Sequence, residues 1–218
     1  MIYLSWAVLF EGTSDEAYFE ILIPRVMEDI VRLHGVRPAE IPPSPAVILR
    51  RGSVESVAKE ACAAREAFHL VFIHADTGGR HLETGLNARS AAYCAAMQTR
   101  CDWPPSRYIT ITPRHETEAW SLADPPAVTD ALGYRGSAAS IGLPANAPRA
   151  AELVDPKMVL SQAVTRVRGP RRSFDVKQIL PAIAQRQSLA ALRQAPSFAR
   201  FETAVRAALA DLGCARRG

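Results

Sequence analysis

Apolar positions along the chain fall into two patterns, short unbroken runs and stripes at helical spacing. Tyr3–Phe10 (YLSWAVLF) is continuously apolar and aromatic, as expected of a strand buried on both faces. Thr13, Ser14 and Asp15 then offer cap chemistry for a helix. Its apolar stripe is Phe19, Leu22, Ile23, Val26, Met27 and Ile30. Pro24 sits inside that stripe and predicts a kink or break. The proline-rich stretch around Ile41–Pro45 reads as a loop, Ala46–Leu49 as a second strand, and Ser53 as the cap of a helix reaching about Phe68. His69–Ile73 (HLVFI) predicts a third strand, ending at His74-Ala75-Asp76. A Thr77-Gly78-Gly79 turn leads into a long alanine-rich helix over Leu82–Arg100. Arg107–Thr112 (RYITIT) is a β-branched fourth strand, closed by Pro113, that delivers Glu116 and Glu118 to the start of another helix.

Strand and helix alternate through this region, which predicts an α/β fold with a parallel sheet, right-handed crossovers and helices on both faces. Beyond about Asp124 the strand signals stop, and short helices separated by Pro, Gly and Ser turns take over. The expected organisation is a sheet core over residues 1–124 and a basic helical extension over 125–218 packed on it, or one continuous domain.

Composition sharpens this picture in three places. Apolar residues make up 48% and charged residues 22%, an ordinary globular balance. No apolar run reaches the ~18 residues of a membrane span. Met1–Phe10 lacks a basic n-region and a cleavage site, so a buried strand is expected there and not a signal peptide. The cysteines Cys62, Cys94, Cys101 and Cys214 are scattered without a C-x-x-C pair, which predicts neither a disulfide framework nor structural zinc, and a cytoplasmic setting. The charge is lopsided. Residues 161–218 carry 11 Lys/Arg against 3 Asp/Glu, whereas residues 1–160 carry 15 against 19. An acidic body beside a basic tail suits a carboxylate metal site next to a phosphate-binding surface; a solvated helical face gives the same numbers.

The candidate chemistry lies at the strand ends. Glu11 and Asp15 follow the first strand, Asp76 the third, and Glu116 and Glu118 the fourth. In an open parallel sheet these ends share one edge, where ligands bind. Each acid alone has an ordinary reading, as a turn residue or a first-turn helix residue favoured by the macrodipole. Together they repel one another unless protonated or bridged by a divalent cation, and carboxylate oxygens suit Mg²⁺ or Mn²⁺. Gly12 fits a tight strand-to-helix turn bringing backbone near the site. His74 and His115 flank these acids as possible proton carriers, although histidines at strand ends are more often structural.

Glu11-Gly12-x-x-Asp15, a strand ending in Asp76, and Glu116-Thr117-Glu118-Ala119-Trp120 together resemble the Toprim fold. More narrowly, they resemble a small Toprim-like family related to the nuclease domain of OLD-type (overcoming lysogenization defect) proteins. The likeness covers about residues 3–125 and extends loosely to Lys177 and Arg193…Glu202. It implies a Rossmannoid core whose metal ligands are Glu11, Asp15, Asp76, Glu116 and Glu118. It implies catalytic roles for Glu11, Asp76 and Glu116, and metal-dependent cleavage of nucleic-acid phosphodiesters. Gly78 stands where the family carries the second acid of Asp-x-Asp, which puts a two-metal site in question. Related domains accompany an ABC-type ATPase. No Walker A pattern occurs in this sequence, so the implied ATPase partner is a separate chain serving defence against phage or mobile DNA.

Lys177 is a candidate charge stabiliser at the metal edge, and Trp120 a packing residue. Arg166, Arg168, Arg171 and Arg172 surround Gly169-Pro170 as candidate phosphate contacts to nucleic acid, DNA in the first instance. Apart from Phe174 no aromatic interleaves them, so recognition through phosphates is expected and not base stacking. Two rival functions remain: a catalytically weak Toprim-like subunit that binds a partner protein or nucleic acid, and a phosphohydrolase acting on small molecules.

Overall fold

In the central strands every side chain is buried, and successive residues face different cores. The computed structural model describes residues 1–76, 84, 90–169 and 176–217. The Thr77-Gly78-Gly79 turn, most of the first half of the expected Leu82–Arg100 helix, and Arg171, Arg172 and Phe174 lie outside the described residues.

The main sheet contains β2 (Trp6–Leu9), β4 (Val47–Leu49), β5 (Leu70–His74) and β6 (Tyr108–Ile111), in the order β4-β2-β5-β6 and parallel throughout. Trp6, Val8, Leu70, Phe72, Ile109 and Ile111 point into one core, and Ala7, Leu9, Leu49, Val71 and Ile73 into the other. Such two-sided burial requires apolar runs without polar alternation, and the sequence has them.

Helix α1 (Thr13–His34) follows β2, α2 (Val54–Ala63) follows β4 and α3 (Ala91–Cys101) precedes β6. The expected stripe of α1 is buried in full. Pro24 does not end α1, which runs on for 22 residues; the apolar face buried on either side of the proline outweighs the lost hydrogen bond. Its N-cap is Gly12, with no side-chain cap bond, and not Thr13 or Ser14. Ser53 does cap α2, accepting from the Ser56 N–H at 3.2 Å.

The expected first strand divides in two. Residues Ile2–Tyr3 (β1) pair with Ala39–Glu40 (β3) in a separate two-stranded sheet. Leu4 N–H still donates to Glu40, but the Ser5 carbonyl already accepts from His69, so the chain changes partners between these two residues.

Beyond β6 come α4 (Glu118–Ser121), α5 (Pro125–Leu132), α6 (Ala147–Ala151), α7 (Pro156–Arg168), α8 (Leu180–Arg186), α9 (Leu189–Leu192) and α10 (Pro196–Asp211). Their apolar residues join Trp6, Val8 and the α1 stripe in a single core. Gln187, fully buried, locks this seam: it accepts from the Tyr18 hydroxyl at 2.5 Å and donates to the Trp120 and Ser121 carbonyls at 2.6 and 3.0 Å. Arg25 reaches across the same seam to the carbonyls of Ala184 and Gln187.

The cysteine expectation needs correction. Cys62 on α2 and Cys101 on α3 form a disulfide, with Cα atoms 5.8 Å apart. Their separation of 39 residues hides the pairing in the sequence, whereas the packing of α2 on α3 creates it. Cys94 and Cys214 are free and buried. Among the described residues, no helix is long and apolar enough to cross a membrane.

Candidate metal centre

From β2 the chain crosses to β4 on one side, and it later returns to β5 on the other. The gap between the carboxyl ends of β2 and β5 is therefore a topological switch point. Glu11 lies two residues past β2 and Asp76 two past β5. With His74 they form a group whose ligand atoms all lie within 4.8 Å of one another. The Asp76 N–H donates to Glu11 Oε2 at 2.9 Å, and His74 Nε2 lies 3.1 Å from Asp76 Oδ1. Arg51, two residues past β4, donates to the Glu11 carbonyl at 2.6 Å.

Asp15 stands behind this group. Its carboxylate accepts from the Thr117 hydroxyl at 2.7 Å and lies 3.6 Å from His74 Nδ1. The same hydroxyl is 3.3 Å from His74 Nε2. Gly12 makes room for it, since a Cβ there would meet Asp15 Oδ2 at 2.9 Å. Phe19 closes the far side of the imidazole, with centroids 4.8 Å apart.

Burial pulls the His74 imidazolium down. The Asp76 hydrogen bond and the charges of Asp15, Asp76 and Glu11 outweigh it, so the net displacement is upward. Asp76 is pushed up by burial against the pull of His74. The two displacements favour opposite protonation states, and the imidazolium is the better-supported one because three carboxylates face the ring. A proton on His74 is favoured by these carboxylates, and its loss frees a ring nitrogen as a ligand.

Glu116 and Glu118 sit apart from this group. Glu116 is half-buried, and among the described residues its Oε2 is enclosed without a hydrogen-bond partner. Burial raises its pKa, opposed by the Lys157 backbone N–H and ammonium. Glu118 is 4% exposed, and burial pushes it up to about 7, with Glu116 adding to the rise and Lys157 opposing it. His115, at the corner before them, takes the left-handed region (φ 65).

The raised carboxyl at Glu118 has a measurable consequence. In the unfolded chain it ionises near pH ~4.3, so the folded state holds an extra proton between there and about 7. Stability from this group is full below that window and is lost as pH rises through it. Glu118→Gln in EDTA is therefore expected to stabilise the protein by about 1–3 kcal/mol at pH 8 and by no more than about 0.6 kcal/mol at pH 4.5, at the foot of the window. Denaturant titrations at the two pH values check this, and an equal effect at both would contradict it.

Lys177 is exposed on the short turn Val176–Gln178. Arg166 and Arg168 are exposed in the last turn of α7, and the Arg166 guanidinium lies over Gly142, where a Cβ would meet it at 2.0 Å. Thr117, Arg51 and Lys157 escaped the sequence reading. Arg51 stands at the same offset past its strand as Glu11 and Asp76, which is the signal that would have found it.

Two carboxylates and an imidazole from adjacent strand ends can hold a divalent cation. The family model described as "Domain of unknown function (DUF4276)" matches residues 10–206. No curated protein and no solved structure matches the chain.

Proposed function

The chain belongs to the DUF4276 family, a domain of unknown function, and within that family we propose a Toprim-like, metal-dependent nuclease that cleaves nucleic-acid phosphodiesters. The observation that carries this reading is the convergence of Glu11, His74 and Asp76 at the switch point of a parallel sheet. A divalent ion, Mg²⁺ or Mn²⁺, supplies Lewis acidity for phosphodiester cleavage when bound. Glu11 and Asp76 would hold it, with the neutral imidazole of His74 as the third donor. Asp15, fixed by Thr117, orients His74 and adds charge behind it. Glu116, with its enclosed Oε2, and Glu118 form a second acidic pair for exchanging protons with solvent or leaving group.

The strand partner is DNA, held by its phosphates; Arg166 and Arg168 supply exposed charge for this. A separate ABC-type ATPase, a cytoplasmic setting and a role in defence against phage or mobile DNA complete the proposal.

Plasmid incubated with the purified chain tests it. Nicking is expected with Mn²⁺ or Mg²⁺ and none in EDTA. Mn²⁺ affinity, read by electron paramagnetic resonance, is expected to weaken as pH falls and His74 keeps its proton. Metal binding without cleavage under any condition would replace this reading with that of a binding subunit. Absence of both would remove the metal centre itself.

A further inference from the structure

Helices α2 and α3 cover the sheet face opposite α1, and the Cys62–Cys101 bond joins them there. Their apolar contribution is thin. Among the described residues the two helices bury Val57, Ala58, Ala61, Cys94 and Met97, whereas α1 alone buries bulkier groups such as Tyr18, Phe19 and Leu22. Ala58 of α2 and Ala92, Ala95 and Ala96 of α3 line an open groove of about 470 Å³ between them. Alanines let two helices approach closely while removing little apolar area from water, so the covalent bond carries a large share of this seam.

The position of the bond gives it leverage. Cys62 lies in the last turn of α2 and Cys101 ends α3. The first turns of the same helices, at Val54 and at Ala92 and Tyr93, frame a crevice of about 370 Å³ together with Glu11 and His74. Eight residues of helix separate Cys62 from Val54 and Cys101 from Tyr93, about 12 Å along each axis. A crosslink at one end of two stiff rods restrains their spacing at the other. Both sulfurs are also within reach of solvent, since Cys62 and Cys101 are half-buried whereas Cys94 and Cys214 are buried. The reduced pair has a place in the fold: the Met97 carbonyl lies 3.3 Å from Cys101 Sγ and 3.9 Å from Cys62 Sγ and can accept from either thiol. In the cytoplasmic setting proposed above, disulfides are commonly reversible and not permanent.

We propose that Cys62–Cys101 is a thiol–disulfide switch: the bond clamps α2 to α3 and keeps the crevice closed at its helical side, and its reduction lets the two helices part. Two thiols of a small or protein reductant are oxidised to a disulfide as the Cys62–Cys101 bond takes up two electrons and two protons, through a mixed disulfide on one of the two sulfurs. The exchange runs backward with an oxidised thiol pair. Glu11, His74 and Asp76 belong to the ends of β2 and β5, not to the two helices, so the switch changes access to the site and not its ligands. It stands whether or not the site cleaves nucleic acid.

The test uses the full chain labelled with 3-fluorotyrosine in metal-free buffer, oxidised or treated with dithiothreitol. Alkylation after denaturation is expected to find the thiols of Cys94 and Cys214 in the oxidised chain, and those of Cys62 and Cys101 as well in the reduced one. Reduction of the folded chain is expected to speed hydrogen exchange in α2 and α3 at least ~10-fold and to leave α1 and α10 within ~2-fold. The Tyr93 resonance, assigned with Tyr93→Phe, is expected to shift at the same time, and oxidised glutathione to restore every value. Cys62→Ser is expected to give the reduced-state values with or without dithiothreitol. Free Cys62 and Cys101 in the oxidised chain, a bond that yields only after unfolding, or unchanged exchange in α2 and α3 would each overturn the proposal. So would a change that oxidised glutathione cannot reverse. Protection lost equally in α1 and α10 would mark a general staple and no switch. A Cys62→Ser protein that still answers to dithiothreitol would trace the response to another group and overturn the proposal too.

Discussion

Glu11→Gln is expected to lose metal-dependent cleavage by on the order of 10³-fold while the protein stays folded. The size follows from what a bound cation does for a phosphoryl transition state: several kcal/mol of charge stabilisation, at 1.36 kcal/mol per factor of ten. Glutamine is the informative replacement. Glu11 Oε2 accepts the Asp76 N–H at 2.9 Å, and an amide oxygen can keep that bond while shedding the charge. Alanine would remove both, and a loss of activity could then reflect a displaced Asp76. The melting temperature of Glu11→Gln is expected within a few degrees of the parent, or above it, since one carboxylate leaves a cluster of like charges. Cleavage within tenfold of the parent with Mn²⁺ binding intact would show that Glu11 holds no ion. Unchanged cleavage with abolished Mn²⁺ binding would show that the cleavage came from another protein in the preparation.

The chain's strand ends were legible because their chemistry is local. A strand buried on both faces must be apolar throughout, so Trp6–Leu9 and Leu70–His74 announce themselves, and the next polar residues are forced to the sheet edge. That placed Glu11 and Asp76 together before any distance was known. What stayed hidden depends on partners far along the chain. The sequence sets His74 beside these acids as a candidate proton carrier, and its 3.1 Å approach to Asp76 makes it a member of the group. Thr117 meets Asp15 across 102 positions. Pro24 does not break the helix because burial on either side overrides the propensity, and the Cys62–Cys101 pair stays hidden because helix packing, not spacing, joins them. Whether residues 125–218 form an extension packed on the sheet core or one continuous domain with it turns on contacts of the same long range. Composition changes there, but Gln187 and the aromatic residues of α10 close the core that α1 opens.

Trp120→Ala is the substitution that tests this last point, with an expected cost of about 3–5 kcal/mol. The indole is 1% exposed and touches three rings from both ends of the chain: Phe198 at 5.1 Å, Phe201 at 5.5 Å and Phe19 at 5.8 Å between centroids. Its Nε1–H donates to Ser197 Oγ at 2.8 Å. Alanine therefore empties a cavity, strands a buried hydroxyl and loosens α10 from α1 in one step. For a chain of this size the shift in melting temperature is about 10 °C. Trp120→Phe keeps most of the ring contacts and loses the hydrogen bond, so it should cost nearer 1–2 kcal/mol. Hydrogen exchange distinguishes the possible architectures. If the core is continuous, Trp120→Ala lowers protection in β2, β5 and α10 together, as a global unfolding event requires. Loss of protection confined to residues beyond 124 would instead mark the helical region as a separately folding unit. The carboxylates at the sheet edge would then have to be positioned without it, by β2, β5 and α1 alone.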